Sequence, residues 1–268
     1  MIRTMGAVAI MLVMGIGPVA AQEDGAQRMI LLADQAQRAL RITKSACLVM
    51  SGSQVSHHAQ TVVEEARHFE EVMQDLAAEQ ERLLQLRRLS LGLTRSAAQI
   101  ASGDLHSVPM RLLLSRNHQV AARLLDLARA EGATYPEEVL SKEQVTVLNH
   151  LAAQRALVEG LLRDQCYVRL SFGAADLPQK MTEGIRRFEA VNTLLIEGDA
   201  AQGVPPAPDI GIKIALGQVA SKWVSLRALL DAAAKEGTLD LRDLQLAAVI
   251  GETLHRRLGK LMEKYQAL

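Results

Sequence analysis

Apolar side chains recur at three- and four-residue steps along nearly the whole chain. In the first such stretch Met29, Leu32, Ala36, Ala39, Ala46, Cys47 and Met50 fall on one side of a helix turning about 100° per residue, while Asp34, Gln37, Arg38, Arg41, Lys44 and Ser45 fall opposite. The pattern predicts an amphipathic helix over about 24–51. Breakers follow at Ser51-Gly52-Ser53, Gly103-Asp104, Gly132 to Pro136, Gly173 to Pro178, Gly203 to Pro208 and Gly237. Between them the same periodicity predicts helices near 55–82, 84–101, 107–131, 137–172, 177–197, 209–236 and 240–267. Pro136 before Glu137-Glu138 suits a helix start, and Gly132 and Gly237 sit where C-caps favour a left-handed residue. Alternating runs rich in Val, Ile and Thr are absent, so the expected fold class is all-α.

The pattern also repeats. Shifting the chain by 119 residues without a gap brings Cys47 onto Cys166, Val49 onto Val168, Gln60 onto Gln179 and Glu64 onto Glu183. Arg67, Phe69, Glu70, Val72 and Leu76 likewise meet Arg186, Phe188, Glu189, Val191 and Leu195, so nine of the 30 positions from 47 to 76 are identical. Further on, LLDLARAEG at 124–132 matches LLDAAAKEG at 229–237 at a shift of 105, which makes the second copy 14 residues shorter (119 less 105) and places an added segment around 84–101 in the first. A duplicated set of helices of this kind can close two tandem up-and-down four-helix bundles. The unbroken stretch 137–172 predicts a long helix shared between them, with repeats at 22–149 and 150–268; one merged pseudo-symmetric bundle is the alternative.

The N-terminus changes the picture of where the chain works. Arg3, the apolar run Gly6 to Ile16, Pro18 and then Val19-Ala20-Ala21 before Gln22 have the form of a secretory signal peptide, 1–21, cleaved after Ala21. The run is too short to span a bilayer, and no later stretch reaches the length a span requires. An exported, periplasmic protein is therefore expected. Arg3 is the only charge in that leader, so 29 basic residues face 30 acidic ones in the remainder. That balance argues against nucleic-acid or membrane-surface binding, both of which need a basic field. Aromatic residues make up 3% of the chain, as suits helices packed through small aliphatic side chains.

ADQAQRALRITKSACLVMSG in the first copy and AQRALVEGLLRDQC in the second, each followed 22 residues after the Cys by Phe-Glu, resemble a known pattern. They are similar to the first helix of the PilJ-like sensory domain found at the N-terminus of type IV pilus methyl-accepting chemotaxis transducers, a domain that often occurs in tandem. In copy one Gln35, Arg41, Lys44, Cys47 and Gly52 fit that pattern and Ala36 replaces its first Arg; in copy two Gln154, Arg155, Arg163 and Cys166 fit and Gly160 replaces its second Arg. Trp223 sits where such domains often carry a third-helix Trp, and the shift of 105 makes His118 its counterpart. Related domains in nitrate and nitrite sensors bind the anion through a first-helix Arg, whose planar donor fork suits an oxyanion. The resemblance thus implies a non-enzymatic sensory module that binds a small anion, with Arg155 as the first candidate and Arg163, Arg41 and Lys44 behind it. It also implies a membrane-bound sensor or envelope protein as partner, and a second copy of the chain is a further candidate.

Each candidate has a plainer reading. Arg155 has Glu159 one turn on, an i,i+4 pair that would neutralise itself on a bundle surface. Arg38, Arg41 and Lys44 oppose the apolar stripe and read as a solvated face. Glu64, Arg67 and Glu70, and their copies Glu183, Arg186 and Glu189, read as i,i+3 pairs, and Phe69 and Phe188 as core aromatics. In an oxidising compartment Cys47 and Cys166 could pair, but only if equivalent positions lie beside the pseudo-symmetry axis; the stripe puts Cys47 inside its own bundle, so free buried thiols are expected. His57-His58, and Glu64 with His68, offer metal donors without a second pair at ligand spacing, so no metal or cofactor is expected. No phosphate loop and no Ser, His and Asp arrangement stands out, and an enzyme is not expected.

Overall fold

The computed structural model describes residues 19–79, 82–133, 140–172 and 175–268. Among them are eight α-helices, α1 (Val19–Met50), α2 (Val55–Glu79), α3 (Arg82–Ala101), α4 (Ser107–Ala133), α5 (Lys142–Arg169), α6 (Leu177–Glu197), α7 (Ile210–Glu236) and α8 (Leu241–Gln266), and no strand. The fold is an all-α helical bundle. The expected signal peptide and the helix start at Pro136 lie wholly or mostly outside the described residues.

Local sequence sets the helix ends. Ser141 caps α5 by accepting from the Gln144 amide while the Gln144 side chain accepts from the Ser141 amide, so the long joining helix starts at Lys142 and the expected boundary at 149/150 falls inside it. Asp209 and Asp240 cap α7 and α8 in a one-sided way, each accepting from a single backbone amide. Gly237 closes α7 with φ 89° as expected, but Gly132 does not cap α4: it lies within the helix, and a Cβ there would stand 2.8 Å from Met29 Sδ and 3.0 Å from Val145 Cγ1. It is glycine because α4 runs close against α1 and α5.

The helices close into two rings, α1–α2–α3–α4 and α5–α6–α7–α8, joined where α1 lies along α5. Asp34 meets Arg155, Lys44 meets Glu159 and Cys47 meets Cys166, contacts that rise in number on both helices, so α1 and α5 run in the same direction. Helix α5 also touches α4, which makes it the element common to both rings. Phe69 and Phe188 are fully buried, one in each ring, and Phe188 stacks on Trp223 with ring centres 3.8 Å apart.

The ring order corrects one part of the repeat arithmetic. Segment 84–101 is α3, a full wall of the first ring, whose buried Leu83, Ser90, Thr94 and Ala97 stand at one constant offset from Ile212, Val219, Trp223 and Leu226 in α7. Thr94 donates to Glu70 where Trp223 donates to Glu189, so the counterpart of Trp223 is Thr94 and not His118. Similarly Met110, Leu113, Val120, Leu124 and Ala128 of α4 correspond to Leu244, Ala247, Leu254, Leu258 and Met262 of α8, all buried. The LLD match joins the ends of α4 and α7, which occupy different places in their rings.

The two cysteines form a disulfide across the seam, with Cα atoms 6.1 Å apart, which corrects the expectation of free thiols. A single apolar stripe does not mark the whole interior of α1. That helix is packed on both sides, by its own ring on one and by α5 on the other, where Arg41 also reaches Glu252 of α8, so its polar face is also interior: Gln37, Lys44 and Ser45 are buried.

Candidate functional site

The charged residues of α1 and α5 form one network along the seam. Lys44 Nζ stands 2.6 Å from Glu159 Oε2, and their side chains are 4% and 0% exposed. Arg155 is therefore not neutralised by Glu159 but reaches back across the seam to Asp34, with its Nη2 3.0 Å from His255 Nε2 on α8. Arg41 bonds Glu252 on α8 at 2.6 Å and lies 3.4 Å from Glu65, which also pairs with Arg38. Arg38, Arg41 and Lys44 are the residues that the periodicity assigns to a solvated face. Across this seam burial, then the positive charge of Arg155 and Arg41, hold His255 down to about 3; burial, Lys44 and His57 hold His58 down to about 4.

Arg163 has a different setting. Its Nε and Nη2 bond Asp164 at 2.8 and 2.6 Å, and its Nη1 bonds Asn117 Oδ1 on α4 at 2.6 Å. Its guanidinium carbon lies 5.6 Å from the Tyr167 ring centre. Burial pulls its pKa down, but Asp164 and Tyr167 outweigh that and hold it above the ordinary value. Burial pushes the Tyr167 hydroxyl well above its usual range.

Two grooves flank the seam. The larger, about 610 Å³, lies between α4, α5 and α6, reaches Ala33 and Leu40 of α1, and is lined by Arg163, Arg187, His118 and His150 together with Ala153 and Gly160. The smaller, about 290 Å³, lies between α8, α1 and α2 and is lined by Arg41, Lys44, His57, His58, Glu252 and Arg256. Since α4, α5 and α6 occupy in one half the places of α8, α1 and α2 in the other, the grooves are duplicates of one another. Arg163 and Lys44, equivalent in the repeat, line one each.

Of the four candidate ligand residues, then, Arg163 faces the larger groove, Arg41 and Lys44 the smaller, and Arg155 lies in the seam network away from both. The doublet His57-His58 lies in the smaller groove, and no group of three or more His, Cys, Asp or Glu converges among the described residues. The i,i+3 pairs also resolve differently. Arg67 bonds Glu71 at 2.6 Å, whereas Glu64 and Glu183 accept from Gln60 and Gln179, the same contact in both copies. Sequence reasoning missed Arg187, His118 and His150, because groove walls built from three helices leave no local motif. No described helix is long and apolar enough to cross a membrane. No family model, curated protein or solved structure matches the chain.

Proposed function

We propose that this chain is an exported, non-enzymatic binding module that receives an anionic ligand in a groove beside the seam of its two rings and passes the signal to a membrane-bound sensor or envelope partner. The observation that carries the reading is the placement of Arg163, Arg41 and Lys44 along two duplicate grooves, where fixed cations surround space of ligand size. The disulfide fits an oxidising compartment, in keeping with the leader-like N-terminus. The likeness of the first-helix motifs to PilJ-like sensory domains points the same way. Binding, and not catalysis, is the chemistry that guanidinium, ammonium and amide groups around a groove supply directly.

The test is a panel of inorganic and small organic anions, nitrate and nitrite among them, titrated into the protein while its melting temperature is followed. A ligand of the native state must raise it. At least one anion should do so, and Arg163→Ala should remove the shift; a panel with no response rejects the reading. Arg155→Ala, whose guanidinium is committed to Asp34, should lower stability and leave ligand shifts in place.

A second reading has its own observation. Ile210, Ile214 and Val224 are exposed along α7, an apolar stripe that suits a protein partner. If Ile214→Lys abolished capture of a specific membrane-bound sensor and no anion bound, the chain would be an interaction module without a small ligand.

A further inference from the structure

The two grooves occupy equivalent places in the repeat and are lined unlike. Where α1 carries Asp34, Gln37, Arg38 and Arg41, α5 carries Ala153, Ala156, Leu157 and Gly160, which line the larger groove. Glu65 of α2, which pairs with Arg38, is matched by Gly184 in α6; Glu252 and Arg256 of α8 are matched by His118 and Ala122 in α4. The ion pairs that flank the first groove, Arg38 with Glu65 and Arg41 with Glu252, give way in the second to Leu157 with Gly184 and Gly160 with His118, while the cation Lys44 is kept as Arg163. The space left is more than twice as large.

Such cutting back removes both partners of each ion pair, so it leaves an apolar trough and no buried unpaired charge. The trough runs along α5 from Thr146 to Asp164, a length of roughly 27 Å at 1.5 Å per residue. Its charged rim is one-sided. Among the described residues Asp164 is the only carboxylate lining it, and Asp164 is taken up by Arg163. Arg187, exposed at the groove, pairs with no carboxylate among the described residues, and it stands close enough to His150 to help burial keep that imidazole neutral. A neutral imidazole beside an unpaired guanidinium offers an N–H donor next to a positive charge.

We propose that the groove between α4, α5 and α6 binds an amphipathic carboxylate, its alkyl body lying on Ala153, Ala156, Leu157 and Gly160 and its carboxylate on Arg187. The proposal rests on the binding-module reading and narrows its ligand from any small anion to one with a long apolar tail. A nitrate-sized ion would leave most of the trough unfilled.

The experiment measures binding of butyrate, octanoate and dodecanoate to the purified protein by calorimetry below their micelle concentrations, with dodecanol and sodium nitrate alongside. Affinity should rise steeply with chain length, roughly fourfold for each added methylene that is buried. Arg187→Gln should weaken dodecanoate by about tenfold while leaving dodecanol unchanged. Gly160→Leu should abolish both, because Gly160 lines the trough and a Cβ there meets only Arg163 Nη2, at 4.0 Å. Unaltered melting and helix content in Gly160→Leu establish that its fold is intact; Ala153→Leu serves if they change. Binding that ignores chain length, or that survives Gly160→Leu in a folded protein, overturns the proposal. Nitrate binding sensitive to Arg163→Ala without dodecanoate binding overturns it and keeps the wider reading, whereas silence from every anion removes both.

Discussion

Cys47 and Cys166, the same position in the two copies, are bonded to each other across the α1–α5 seam. A bond between equivalent residues requires the axis relating the copies to pass close beside it, so the disulfide marks where the duplicated halves meet. It also closes a loop with a sequence separation of 119, and long loops lose the most denatured-state entropy on cross-linking. Reduction, or Cys47→Ser with Cys166→Ser, should lower unfolding free energy by about 2–5 kcal/mol. Denaturant melts with and without reductant measure this, and a thiol assay on the unreduced, unfolded protein should find no free thiol.

Near the disulfide, Lys44 and Glu159 are a buried pair of opposite charges drawn from opposite rings. Removing one leaves the other stranded in a site with little solvent. Lys44→Met should therefore cost about 3–5 kcal/mol, while Lys44→Met combined with Glu159→Leu should recover much of the loss, since an apolar pair of similar size carries no desolvation penalty. Chemical denaturation of the two single variants and the double variant closes the cycle; equal losses in all three would mean that the pair itself holds the seam together.

How far the fold was legible in the sequence follows from these same residues. Helices, their order and the core positions of Phe69 and Phe188 could be read, because amphipathic periodicity and an identity pattern are properties of one segment at a time. The seam could not. A helix enclosed on both sides shows an apolar stripe toward its own ring and a charged stripe toward the other. The charged stripe mimics a solvated surface until its partner charges, here Glu159, Arg155 and Glu252, are known to converge. Arg155 shows the limit well: the i,i+4 spacing to Glu159 was real, but Lys44 had the stronger claim on that carboxylate. The larger groove was visible only as missing side chains, Gly160 against Arg41 among them, which carry meaning once the duplicate groove can be laid beside it.

The same enclosure makes the protein acid-sensitive. His255 is held at about 3 by burial and by Arg155 and Arg41, with Lys44 adding to the positive side and Glu252 opposing; His58 is held at about 4. The unfolded chain takes up a proton at each near the ordinary value of about 6.5, and the native chain does not. Stability is therefore lost as pH falls from about 6.5 toward 4, with a slope approaching roughly 1.4 kcal/mol per pH unit for each histidine. His255→Gln should flatten that limb in melts run between pH 4 and 7, with His58 and His150 supplying the slope that remains. An unchanged slope would assign the acid sensitivity to other groups.

Gly52 and Ser171 show the duplication in the backbone. Both follow the first helix of a ring, with φ of 79° and 59°, and both turns are closed by the same pair of bonds: Gly52 to Val49 and Ser53 to Leu48 in one, Ser171 to Val168 and Phe172 to Tyr167 in the other. Left-handed backbone costs an L residue about 1 kcal/mol or more, and glycine nothing sterically. The second copy thus keeps the turn while carrying the wrong residue for it. Ser171→Gly should raise stability by roughly 0.5–1 kcal/mol, and Gly52→Ser should lower it by a similar amount, since a Cβ at Gly52 meets nothing within 4 Å and the penalty is conformational alone. Thermal melts of the two variants at one pH test this directly; if both exchanges shift stability in the same direction, the two turns are not the equivalents that the repeat makes them.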